Sequence, residues 1–402
     1  GLIRVGQYAG WGIGWGSGST WLGSSLTVVG ISTMLVGVTA ALLQSDAKRL
    51  LAYHSVSQMG YIILGLGVGL YLGAGGGLGL VGAIYHIVNH ALFKAALFLG
   101  VGVIYVHTNE TNLYNLGGLW RRFPMTAILM FLAVLGITGA PGLNGYASKT
   151  LLHHAVSLAA ETGAPWLVWV EGLFLLVGVG TAASFTKLYY LMFLGKPTKV
   201  KIADNKSRSL QLAMGLLAVV MVGIGLRPEL FPTSMAAPAA EVLGMQDVVT
   251  TLAGVSFWNG NDLVGMFVTL ALGMLVCWAG LRSGAFHWHP PIWLTLEGLA
   301  KLAGLGFLTL WRVGAGLYRS TVTAIREIGR TMGFRLYSAC RRLDQSRSGT
   351  IGGVTLTGIS ADAALLMMTL AFLIVFYTLI DLGLPNLRLP FSLSQWMRAL
   401  AR

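Results

Sequence analysis

The chain has 402 residues, of which 55% are hydrophobic and only 10% charged. Soluble domains carry about a quarter charged residues, so this composition excludes an ordinary soluble enzyme and indicates a polytopic, all-α membrane protein. The net charge of +13 fits basic loops facing an anionic leaflet; no interleaved basic and aromatic pattern of a nucleic-acid module accompanies it.

Residue 1 is Gly, and GLIRVGQYAG has neither the basic start nor the cleavage site of a signal peptide. Residues 1–24 are rich in Gly and Trp with one charge, Arg4. They read as the end of a preceding helix and an outer interfacial loop, so the chain is expected to begin within something larger.

About twenty apolar residues cross a bilayer. On length and apolarity, eight spans are expected, at 25–44, 52–73, 78–106, 124–152, 165–194, 210–227, 263–281 and 361–382. Loop charge alternates with them. Asp46, Lys48 and Arg49 follow the first span; Glu110, Arg121 and Arg122 follow the third; Lys196, Lys199, Lys201, Lys206 and Arg208, with Asp204, follow the fifth. The other loops are neutral or acidic, with AGGG at 74–77, then Glu161, then Glu229, Glu241, Asp247 and Asp262. Positive residues favour the cytoplasmic side, so the basic loops are expected inside and both chain ends outside. The tail, with Arg388, Arg398 and Arg402, is the exception.

Within the third span, IYHIVNHALFKAALF places His86, His90 and Lys94 at i, i+4 and i+8. On a helix these share one face and climb about 12 Å. Lys94 lies near mid-span, too deep to reach water by extending, and a lysine at that depth is a functional-site hypothesis by default. The row is either a buried titratable path or a structural polar seam between helices.

The fourth span is too interrupted for one helix. Its middle, TGAPGLNGYASK, holds Pro141 between glycines, and two half-helices with an irregular link are expected. Broken helices at membrane depth line a cavity or are buried in protein. Lys149 follows the break, facing inward or simply ending the helix. His153 and His154, one turn on, are possible relay members. Glu171, shortly inside the fifth span, is a relay member or an interfacial charge. Lys187, near that span's cytoplasmic end, is expected to extend toward solvent, with a relay role as its second reading. Asp381 ends the last span and is expected to be solvated.

Residues 292–348 differ from all that precedes. Arg312, Arg319, Arg326 and Arg330 stay near one helical face, with Trp311, Leu317, Val322, Ile325 and Phe334 filling much of the rest. This is a basic amphipathic helix, lying on the cytoplasmic membrane surface or packed along neighbouring subunits; a calmodulin-type target is a remote third reading. Cys277 and Cys340 form no disulfide framework, ligand cluster or redox pair. No phosphate loop, nucleophile elbow or His-Glu metal motif occurs. No metal, cofactor, redox site or hydrolytic site is therefore expected in this chain.

Four motifs occur in order: QSDAKRLLAYHSVSQMGY (44–61), HIVNHALFKAALFLG (86–100), LGGLWRRFP (116–124) and GAPGLNGYASKTLL (139–152). Through them the chain resembles the antiporter-like, proton-conducting membrane subunits shared by respiratory complex I, energy-converting hydrogenases and multisubunit cation/proton antiporters. The likeness is strongest over 25–195. The family fold holds two inverted five-helix repeats, each with a broken helix, and this chain resembles only the second repeat and the C-terminal helices. On that template Lys94 is similar to the family's central lysine, His86 and His90 to the histidines before it, and Lys149 to the terminal site of the distal subunits.

The resemblance implies five regions: 1–24, the end of a helix and an outer loop; 25–194, a five-helix proton-conducting repeat; 195–291, two further spans; 292–360, a lateral or interfacial segment; and 361–402, the last span and tail. It implies a half-channel in a complex I-like or related redox translocase, in which Lys94, His86, His90 and Lys149 carry protons. The partners would be other membrane subunits, including one that supplies the missing first half, and the lipid bilayer, here of a prokaryotic inner membrane. A sodium/proton antiporter module without redox partners and a structural scaffold are the competing readings.

Overall fold

The computed structural model describes residues 17–197, 199–203, 207–242, 248–288 and 296–346. Among these all regular structure is helical, apart from an isolated bridge between Asp46 and Asn112. The expected span 361–382, Asp381, the tail arginines and the N-terminal stretch with Arg4 lie outside the described residues.

Helices α1 (Ser17–Leu42), α2 (Ala47–Leu72) and α3 (Gly77–Thr108) come first. Next come α4 (Pro124–Thr138) and α5 (Asn144–Thr162), then α6 (Leu167–Tyr189) with a π-helical extension, Tyr190–Leu194. After them stand α7 (Arg208–Leu226), the short α8 (Ala237–Val242) and α9 (Val248–Ala253), α10 (Gly260–Ser283) and α11 (Leu296–Ser346). Among the described residues six helices are long and apolar enough to cross a membrane: α1, α2, α3, α6, α7 and α10. The chain is an integral membrane protein, an all-α polytopic bundle. The expected span 124–152 is a broken pair, since α4 has only 15 residues, about 22 Å of helix against a core of about 30 Å.

Close approach of α1 and α2 follows from glycine spacing. Gly23, Gly30 and Gly37 recur every seven residues on α1, and a Cβ on each would lie 2.4, 2.5 and 2.5 Å from the backbone nitrogens of Tyr71, Leu64 and Ser57. Gly60 and Gly67 of α2 face Gly30 and Thr27 in return. Without a hydrophobic drive between helices in lipid, small residues that admit backbone contact are what hold such a pair.

The helix ends sort as the loop charges do. The link after α1 is tied to the link after α3: Asp46 accepts from Arg49 N at 2.8 Å and from the Thr111 hydroxyl, and Ala47 N donates to Thr111 O at 2.9 Å. The loop before α7 joins them, with Ala203 N donating to His107 O at 2.7 Å. At the opposite end Ala164 N donates to Tyr71 Oη at 3.0 Å, and Tyr146 Oη donates to Phe257 O at 2.6 Å. In the basic-end linkage Glu110 accepts from Thr111 N and Asn112 N, both at 2.8 Å, and from Asn115 Nδ2 at 2.7 Å. The Asn112 amide and the Asn115 side chain hold its carboxyl below the usual carboxylate range.

Residues through Gly298 form one compact unit, and those from Leu299 a second. In the second, α11 continues as part of one 51-residue helix, about 75 Å long. Its basic and apolar faces are both exposed: Arg319 and Arg326 on one, Phe307, Trp311 and Ile325 on the other. Arg330 pairs with Glu327 at 3.8 Å.

Two stability measurements check this account. Gly30→Ala should destabilise the purified protein by about 1–3 kcal/mol, because the opposing atoms are backbone and cannot turn away. Gly172→Ala, with nothing within 4 Å of its Cβ, should be neutral or slightly stabilising. Glu110→Gln should lower Tm at pH 7. A carboxyl held below its free value of 4.5 stabilises the fold above that pH and loses the contribution as pH falls through the lowered value. The variant and the parent should therefore converge in acid.

Candidate functional site: a buried row of lysine and histidine

Two apolar clusters divide the bundle. One contains Tyr61 to Val68 of α2 and Leu78 to Tyr85 of α3; the other contains Leu50 and Leu51 of α2 and Phe93 to Ile104 of α3. Between them lies a buried polar belt. It comprises His54, Ser57 and Gln58 of α2, His86 and Asn89 of α3, Asn144 and Ser148 of α5, and Thr181 and Ser184 of α6. Buried polar groups are costly unless hydrogen-bonded, and this belt bonds largely to itself. His86 spans it, with Nδ1 3.0 Å from Ser148 Oγ and Nε2 3.1 Å from Gln58 Oε1. Asn89 Nδ2 donates to Asn144 O at 2.8 Å, and Asn144 Nδ2 returns a bond to Asn89 Oδ1 at 3.1 Å. The start of α5 is thereby pinned to the middle of α3.

Lys94 is only 7% exposed and donates to the Leu51 carbonyl of α2. It does not reach water, and Phe98 lies within cation–π range of its ammonium, 5.5 Å from ring centre to Nζ. One turn before it, His90 is half-buried with its ring 5.8 Å from that of Phe93. Among the described residues His90 Nε2 has no hydrogen-bond partner. His86 completes the face one turn further on.

The break between α4 and α5 shows what the glycines are for. Gly139 and Gly142 stand at φ +87° and +85°, a region open to glycine and strained for other residues. The end of α4 bends back on itself, Ala140 N donating to Leu135 O at 2.9 Å. Two carbonyls next to the break, of Ile137 and Thr138, accept from Lys149 Nζ at 2.8 and 3.3 Å. Lys149 is 3% exposed. Its ammonium therefore occupies the negative end of a half-helix, where a cation is favoured.

Beyond Lys149 a cavity of about 80 Å³ opens, bounded by Tyr61, Lys149, His153, Asp262 and Thr269. Two histidine–carboxylate pairs stand around it: His153 Nε2 to Glu171 Oε1 at 3.3 Å, and His154 Nε2 to Asp262 Oδ2 at 2.9 Å. Glu171 thus meets a histidine rather than standing alone at the interface. At the other end of the bundle Lys187 corrects the expectation that it extends toward solvent. It is fully buried, and donates to the carbonyls of Leu42 and Gln44 at the end of α1. The reason is local: the end of α1 presents unpaired carbonyls within the protein, nearer than water.

The structure brings His86 against Ser148, the residue before Lys149, and so joins the α3 row to the broken helix. It keeps Lys187 with α1, away from the His153 and His154 pairs. Sequence reasoning missed His54, whose Nε2 bonds to Ser184 Oγ, and Gln58. The signal was present, since 54, 57, 58 and 61 form an i, i+3, i+4, i+7 polar stripe on one helical face. The sequence marks Asp262 only as a loop charge, because nothing in it brings the start of α10 to α5.

Residues 17–175 match the family described as NADH:quinone oxidoreductase/Mrp antiporter, TM. Formate hydrogenlyase subunit 3 of Escherichia coli is 33% identical over 236 residues, 55% of this chain and 38% of that protein. F(420)H(2) dehydrogenase subunit L of Methanosarcina mazei is 28% identical over 283 residues, 69% of this chain and 39% of that protein. An Na(+)/H(+) antiporter subunit of Alkalihalophilus pseudofirmus is 34% identical over 193 residues, 48% of this chain and 37% of that protein. The chain spans somewhat under two fifths of the length of these curated relatives. With its four motifs, its helix bundle and the family match over 17–175, the chain is similar over that stretch to the antiporter-like membrane subunits.

Proposed function

We propose that this chain is a proton-conducting half-channel in a multisubunit, respiratory-type redox complex of a prokaryotic inner membrane, with its basic loops on the cytoplasmic side. Lys94 and Lys149 are the ion-carrying groups, and His90 and His86 pass the proton along α3 between them. The observation that carries this reading is the bridge made by His86, which touches α2 and α5 at once and ends on Ser148, the residue before Lys149. A purely structural polar seam would not need the Lys94 ammonium, and burying it is costly. Two charges in low dielectric repel strongly, so charging one lysine favours discharging the other. A conformational or redox event elsewhere in the assembly can drive transport through that coupling. His54, bonded to Ser184 and in the electrostatic field of Lys94 and Lys187, gives an approach to Lys94 from the basic end.

The partners are other membrane subunits, one of which supplies a further half-channel. A second reading, a sodium/proton antiporter module, is favoured by the relative named as an Na(+)/H(+) antiporter subunit. Copurification separates the two: iron–sulfur or quinone-reactive subunits support the redox reading, and small antiporter subunits alone support the antiporter module.

Lys94→Ala should leave assembly largely intact and reduce ion pumping by the complex, measured in proteoliposomes, to background. Normal pumping by a correctly assembled variant would remove Lys94 from the path.

A further inference from the structure

The cavity beyond Lys149 is lined in part by two polar residues of α10 that the half-channel reading does not use. Its volume of about 80 Å³ has room for several waters, at about 10–15 Å³ each. Lys149 and Thr138 line it together with Asn261 and Asp262, which lie in the first turn of α10. The Asp262 side chain is 14% exposed and the paired His154 27%, so the pair sits where the cavity meets the surface rather than deep in the bundle. Behind it His153, stacked on Phe174 at 5.7 Å and paired with Glu171, closes the cavity wall. Tyr61 is the remaining titratable group lining this space, and Tyr146 stands within the electrostatic reach of Asp262.

We propose that Asp262, with His154, is the outer acceptor of the proton that leaves Lys149, so that α10 completes the path to the acidic-loop side. This rests on the half-channel reading and extends it by one step. The Nζ–H bond of Lys149 breaks and water in the cavity takes the proton. That water passes one proton to the Asp262 carboxylate or the His154 imidazole. The ammonium becomes an amine, and the carboxylate becomes an acid or the imidazole an imidazolium. The acceptor then releases its proton to the outer solution, and the cycle needs no other reactant. The pairing also gives a reason for a carboxylate at this place. Charge on Asp262 draws the cation outward, and the neighbouring His154 shares it once the proton has arrived. A helix-capping aspartate would serve α10 alone and would be indifferent to Lys149.

The test uses the intact complex in proteoliposomes. Asp262→Asn should lower pumping on the order of a hundredfold and make the residual rate insensitive to pH on the acidic-loop side; Asp262→Glu should restore both. Lys149→Met is run alongside. If Lys149→Met fails to pump while Asp262→Asn pumps with the parent's pH profile, the acceptor role is overturned and the half-channel reading stands. If Lys149→Met itself pumps normally, the half-channel reading falls. A readout independent of turnover is cysteine labelling of Gly265→Cys, a cavity position, with Cys277 and Cys340 replaced by serine. An impermeant cationic thiol reagent should modify it from the acidic-loop side alone. No modification from that side would overturn the proposal, even if Asp262→Asn did not assemble.

Discussion

In lipid every backbone polar group must find a partner within the protein, and the broken helix is where this chain meets that demand most tightly. Interrupting a membrane-depth helix at residues 139–143 leaves carbonyls without the amides that would otherwise pair with them. The chain returns its own Lys149 to two of them, those of Ile137 and Thr138. On the proposed reading a structural obligation and a mobile charge thus fall on the same ammonium. When that group gives up a proton it keeps two N–H donors but loses the charge that the negative end of the half-helix attracts, so its charge state and the geometry of the break are linked. Such a link lets an ion step be felt as a movement of helices, and a movement of helices as an ion step.

The rest of the unit isolates that ammonium and, on the proposed reading, supplies it. Two apolar clusters above and below confine the polar groups to one layer. Asn89 and Asn144 fix the depth of the second half-helix against α3, and His86 fixes its rotation by holding Ser148. A glycine at every seventh residue of α1 brings its backbone against α2 on one flank of the layer. Lys187 caps α1 as Lys149 caps α4. Buried lysines on helix-end carbonyls are thus used twice, once at each end of the layer.

Much of this was legible in the residues. Apolar length located the six crossing helices among the described residues and the broken pair between them. Pro141 between Gly139 and Gly142 marked the break because only glycine tolerates the positive φ observed there. Lys94 stood out because a charge at mid-span is too costly to keep without a task. The pairings were not legible, for a physical reason: side-chain contacts between helices depend on rotation and tilt, which packing sets and periodicity does not. Hence Asp262 passed for a loop charge, and His54 and Gln58 for ordinary members of an apolar span. Lys187 was expected at the surface because its distance from the helix end was visible, whereas the carbonyls of Leu42 and Gln44 that hold it inside come from a helix far away in the chain.

The central claim is that Lys94 and Lys149 belong to one hydrogen-bonded path through His90 and His86. The most direct measurement is an electron cryomicroscopy map of the intact complex at a resolution that shows ordered water. The account predicts a continuous chain of waters and side chains from Lys94 Nζ past His90 to His86, and from Ser148 to Lys149. A dry apolar gap between Lys94 and His86, in a map that resolves water elsewhere in the bundle, would contradict it.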